Sequence, residues 1–220
     1  MSLSDLPDDI FHIITKKLGD EDATYLGPLM LTNKRGRDIA LSKEILQSAN
    51  ITPLTLDPVD IYPGGVTRTF FTRCLDVENP KAIYYESLRL ITREGDIHGS
   101  LALLNQLVPT YDHATLTYAM FQMCAGRGDI AGATFDQIFE DLGTRLWFDN
   151  YSPDLEDECE VLIETLLSFD PPGEDTFGPI WEFAYSKKIS IPDCAYWHGH
   201  DYYCEGCYIY NAALRICELL

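Results

Sequence analysis

Five residues near the C-terminus have the types and spacing that hold a metal: Cys194-x3-His198-x-His200-x3-Cys204-x2-Cys207. Zinc takes four thiolate or imidazole ligands in a tetrahedron at about 2.0–2.3 Å, and a Cys-x2-Cys turn delivers two of them from one loop. Four of these five would complete such a set. The ion would then be structural, stapling a tail that lacks a core of its own. The same residues also suit thiols and surface histidines in a tyrosine-rich helix. A catalytic version would keep one ligand position open and use Glu205 as base. Other chemistry is sparse. The chain contains no P-loop, GxGxxG, GxSxG or HExxH pattern. His12, His98 and His113 stand alone, and Cys74, Cys124 and Cys159 are scattered, with no nucleophile–base arrangement around them. These features point away from an enzyme.

The chain has 220 residues, enough for one sizeable core or two small domains. Its seven cysteines are an odd count, and nothing else suggests an oxidising compartment, so thiols or a metal fit better than a disulfide framework. No run of about 18 apolar residues is present, which argues against a membrane span. The acidic start Met1-Ser-Leu-Ser-Asp-Leu-Pro-Asp-Asp has neither the basic nor the apolar region of a secretory signal. The expected location is therefore intracellular, in the nucleus or the cytoplasm. The formal charge is -19 and lies almost wholly after residue 50. Such a surface repels phosphate backbones, which argues against nucleic acid as a partner and for a basic or apolar one.

The elements that would position these residues are helices. Pro7 suits a first helical position, and Asp8 and Asp9 suit the positive end of the dipole, so 6–18 reads as a helix. Its residues Leu6, Ile10, Phe11, Ile13, Ile14 and Leu18 span an arc of roughly 160°, wider than one buried face needs. Gly19 is expected to stop this helix and Asp20 to cap the next. A second helix is predicted near 21–31, kinked or broken at Pro28, and a third from Asn33 to Ser48. Three short helices bury little surface alone, so the wide arc asks for a covering partner. Residues 51–65, rich in proline and glycine, read as a linker. Further helices are predicted over 66–77, 80–93, 97–107, 112–125, 129–141, near 157–169 and near 175–187. Gly95-Asp-Ile-His-Gly99 recurs as Gly128-Asp-Ile-Ala-Gly132, an offset of 33, with Ile83 matching Leu116 and Tyr85 matching Tyr118. That period suits helical-hairpin repeats.

The stretch Leu6-Pro-Asp-Asp-Ile-Phe-His-Ile-Ile-Thr-Lys-Lys-Leu18 resembles the opening of an F-box, and Leu29, Thr32 and Lys34 match its ending. Gly36 stands where that family usually has Trp or Phe. The segment from Phe70 to Glu86 is similar to the region after the F-box in a group of plant F-box proteins with Sel1/TPR-like helical repeats. The resemblance covers about residues 5–141. Tyr203-Cys-Glu-Gly-Cys207 also looks like the end of the zinc-binding tails of related proteins, although the first cysteine pair is missing here.

The resemblance implies a mainly α chain: a three-helix F-box at 1–50, a linker at 51–65, a helical-hairpin repeat domain at 66–188 and a Cys/His/Tyr-rich tail at 189–220. It implies a non-catalytic substrate receptor of an SCF-type ubiquitin ligase. Leu6, Pro7, Ile10, Ile14, Leu18, Leu26 and Leu29 would dock the Skp adaptor, which links to the cullin, and the repeats would hold a protein target. The alternative is an interaction scaffold that works without the ligase.

Overall fold

The computed structural model describes residues 6–141, 153–171 and 205–220. Every regular element among them is helical, as the mainly α expectation requires. The chain divides into two compact units, Met1–Tyr85 and Glu86–Leu220.

Unit 1 begins with α1 (Asp8–Glu21), whose first turn carries Asp8 and Asp9. Its buried stripe is Phe11, Thr15 and Gly19, successive i+4 positions. The buried Thr15 hydroxyl is satisfied by the Phe11 carbonyl at 2.8 Å. Gly19 does not end the helix. It faces Leu26 and Ile45 from inside α1. The stop comes at Asp22, whose extended backbone leaves the helix and whose carboxylate accepts from the Thr24 N–H at 2.7 Å. A 3-10 turn, Ala23–Tyr25, then leads into α2 (Leu26–Thr32). Pro28 therefore lies in the first turn of α2, where its missing N–H removes no intrahelical bond. The expected break falls before it instead.

The stretch 33–48 is two helices rather than one, α3 (Lys34–Ala40) and α4 (Lys43–Ser48). Asn33 caps α3 by accepting from the Gly36 N–H at 2.8 Å. Residues 51–65, read as a linker, are folded into this unit. They form 3-10 turns at Thr52–Thr55 and Pro58–Ile61, with Ile51 and Ile61 fully buried. Next come α5 (Arg68–Asp76) and α6 (Pro80–Arg89), and the unit boundary falls within α6.

Asn79 fastens the start of α6 to the end of α4. Its buried amide donates to the Leu46 and Ala49 carbonyls at 2.7 and 3.0 Å, and its oxygen accepts from the Lys81 and Ala82 N–H groups. A short side chain with both donors and acceptors is what such a junction needs, because every orphan backbone group must find a partner.

In unit 2, a π-helical turn, Leu90–Glu94, extends α6 and ends at Gly95 in the left-handed region at φ 66. Then follow α7 (Ile97–Asn105), α8 (Asp112–Cys124), α9 (Gly128–Asp141), α10 (Pro153–Ser168) and α11 (Glu205–Leu219). Helix α8 is central and touches α7, α9, α10 and α11. Its buried residues, among them Leu116, Met120 and Phe121, lie all round its circumference, which explains its weak amphipathicity.

The 33-residue offset describes only half of each hairpin. From Ala82/Thr115 through Ile91/Cys124, paired positions share the same buried or half-buried state. Past the turn the match slips to 34: Ile97 pairs with Ala131, Ser100 with Thr134 and Leu101 with Phe135, all buried. Ile130, which the sequence matches to buried Ile97, is 44 % exposed. At these two turns the left-handed glycines are Gly95 and Gly126, so Gly128 does not play the part of Gly95. The two turns differ in length, and burial follows the helices rather than the glycine identities.

Candidate docking surface on unit 1

Helix α1 presents more apolar surface than its unit covers. With Phe11, Thr15 and Gly19 facing inward, Ile10 and Ile13 are 42 % and 52 % exposed. Ile14 and Leu18 are half-buried between these two faces, Leu6 is half-buried and Pro7 is exposed. The 100° step per residue puts Ile14, Ile10 and Ile13 in one band beside the buried stripe.

Arg35 of α3 anchors the start of α1. It reaches Asp8 Oδ1 at 2.6 Å, donates to the Leu6 carbonyl at 2.6 Å and stacks over the Phe11 ring at 5.1 Å. A shallow open groove between α1 and α3 is lined by acidic Asp8, Asp9 and Asp38 and basic Lys34 and Arg35. Toward the other end of α1, Asp20 is bonded by Lys16 of the same helix and by Ser48 of α4. Burial opposes the Asp20 charge, but these bonds outweigh it and hold its carboxyl below the ordinary value.

Two residues expected at the docking surface sit elsewhere. Leu26 and Leu29 are buried in the core of unit 1 and present no free surface. Two others face outward instead: Ile13, and Leu31 of α2, which is 88 % exposed. Ile13 was already visible in the wide apolar arc. Leu31 follows from helix geometry, since it lies about 140° from Leu26 and 160° from Leu29.

Gly36 is buried where α3 crosses α2. A Cβ there would stand 2.5 Å from the Leu29 carbonyl oxygen and 2.7 Å from Thr32 Oγ1. No aromatic side chain fits this position without moving one helix. Glycine is here for close packing.

Of the candidate metal ligands, Cys194, His198, His200 and Cys204 lie outside the described residues. Cys207 is buried in the first turn of α11, with its carbonyl accepting from Asn211 at 2.8 Å. Among the described residues no cluster of three His, Cys, Asp or Glu could hold a metal ion. Burial pushes the Cys74 and Cys159 thiols up to about 12, so both are protonated at neutral pH, the opposite of an activated nucleophile. No helix among the described residues is long and apolar enough to cross a membrane.

Compared with known proteins, the chain matches no family model, no curated protein and no solved structure.

Proposed function

We propose that this chain is a substrate receptor of an SCF-type ubiquitin ligase, in which unit 1 binds the Skp adaptor and the helical hairpins of unit 2 bind a protein target. The observation that carries it is the apolar pair Ile10/Ile13, continued by half-buried Ile14, on a helix opening Leu6-Pro7 and left exposed by its own fold. Aliphatic side chains in one band on a helix are worth burying only against a second protein. The chain then supplies proximity, and transfer chemistry occurs on another subunit. The acidic composition after residue 50 favours a basic target. In this reading the Cys/His tail is a structural zinc site, checked by elemental analysis of the purified protein.

The test is co-purification of the adaptor with wild type and with the double variant Ile10→Asp/Ile13→Asp. Both residues are exposed, so the fold should persist while adaptor capture falls at least 100-fold. Unchanged capture would sink the proposal.

A second reading, a scaffold independent of the ligase, is favoured by Gly36, where an aromatic residue of the F-box pattern has no room. Capture of neither adaptor nor cullin by the wild-type chain supports it.

A further inference from the structure

We propose that Cys124 and Cys217 form a reversible disulfide that locks α11 onto the central helix α8 when the protein meets a peroxide. This stands apart from the receptor reading and survives its failure.

Cys124 is the last residue of α8 and is fully buried. Its Sγ donates to the Ala213 carbonyl of α11 at 3.5 Å. Ala213 and Cys217 are one helical turn apart, so this carbonyl is also the helix acceptor for the Cys217 N–H, about 2.9 Å away. The Cys124 sulfur and the Cys217 backbone thus share one oxygen as neighbour. The two helices that carry them, α8 and α11, pack directly against one another. A disulfide requires a Cα–Cα distance of about 4.4–6.8 Å, and the crosslink would draw on this packing of the end of α8 against one turn of α11. Neither cysteine is in a disulfide in this structure.

The two sulfurs differ in access, and that sets the order of events. Cys217 is half-exposed and meets the oxidant first. Its sulfur attacks one oxygen of hydrogen peroxide, the O–O bond breaks, and the displaced hydroxide takes the thiol proton. A sulfenic acid forms and one water leaves. The Cys124 sulfur then attacks the sulfenic sulfur. The S–S bond forms, and the departing hydroxide takes the Cys124 proton as a second water. One peroxide is reduced by two electrons and the two thiols lose them. Burial, and then the Cys217 neighbour, raises the Cys124 thiol, so it stays protonated and inert until its partner is oxidised. The closed loop is long, running from α8 to the terminal helix, which is where a crosslink constrains the unfolded chain most.

The experiment treats the full chain, freed of reductant, with hydrogen peroxide. Remaining thiols are alkylated in denaturant and the peptides mapped. The expected result is a linked Cys124–Cys217 peptide as the main product, with a rise in Tm of about 5 °C or more. Dithiothreitol should reverse both. Cys217→Ser should lose both, and Cys74→Ser should keep both. Mapping is read on the wild-type chain and on the half-exposed Cys217→Ser, so no variant has to disturb buried Cys124. The proposal is overturned if Cys217 ends as a sulfinic acid or pairs with another cysteine while Cys124 is recovered as an alkylated thiol.

Discussion

Unit 1 leaves more large apolar side chains uncovered than unit 2, which among its described residues exposes Ile130, Val161 and Leu167. Unit 1 is assembled from short helices and 3-10 turns, and leaves Ile10, Ile13, Leu31, Leu56, Val59 and Val66 exposed. Unit 2 wraps one helix, α8, with four others and buries it nearly all round. Unit 2 even encloses charge. Arg89 donates twice to Glu86, at 2.8 and 3.0 Å, and once to Glu94 at 2.6 Å. Burial opposes the Arg89 charge, yet the two carboxylates outweigh it and raise its pKa. The π-helical turn brings the i+5 residue Glu94 back over Arg89, so backbone irregularity and ion triad belong together. The contrast teaches where each unit is sensitive: unit 2 through its interior, unit 1 through its surface and the α2–α3 crossing at Gly36.

The largest effect that would test this contrast is Arg89→Ala. It leaves Glu86 buried without its cation, and should cost about 3–5 kcal/mol in urea unfolding, enough to unfold much of unit 2. A loss under about 1 kcal/mol would mean that water reaches the triad and that unit 2 is as open as unit 1.

Next in size is a pair of glycine substitutions. Gly36→Ala forces a Cβ against the α2 backbone and should destabilise unit 1 by about 1–3 kcal/mol. Gly132→Ala meets nothing within 4 Å and sits inside α9, so it should be neutral or stabilising by up to about 1 kcal/mol. Thermal melts of both variants would sharpen the difference between a glycine needed for packing and one matched only by a repeat.

The smallest effect concerns the α10–α11 clamp. Glu160 accepts from Arg215 through both oxygens and from the Tyr208 hydroxyl at 2.9 Å. The Arg215 bond, ahead of the opposing burial, holds its carboxyl below the ordinary value. A depressed carboxylate contributes stability that is present above its unfolded pKa and lost as pH falls through its folded one. Melts should therefore show Glu160→Gln losing a few tenths of a kcal/mol at pH 7, since the group is well solvated. The deficit relative to wild type should shrink under acid conditions. A gap that persists at low pH would show that the clamp works through packing rather than charge.

Much of the fold was legible in the chain. The first helix, its capping acids and most later helices follow from periodicity and breakers, because those signals are local. The stop at Asp22, the split at Leu41-Ser42 and the first-turn place of Pro28 were harder, since each depends on which neighbour a residue packs against. The wide arc of residues 6–18 announced uncovered apolar surface. It did not separate Ile10 and Ile13, which face out, from Phe11, which Arg35 and the core enclose.

By itself the sequence determined the helical class, the charge imbalance and an apolar excess at the first helix, since composition and a 3.6-residue period are properties of the chain. Only the tertiary structure decided the rest. It took Leu26 and Leu29 into the core, drew residues 51–65 into unit 1 and gave Gly36 its role at a helix crossing. It also slipped the repeat by one residue at the second turn and set the Cys124 sulfur against the Ala213 carbonyl of α11. The physical reason is common to all five: burial and contact are relations between segments, and sequence spacing reports only what one segment does alone.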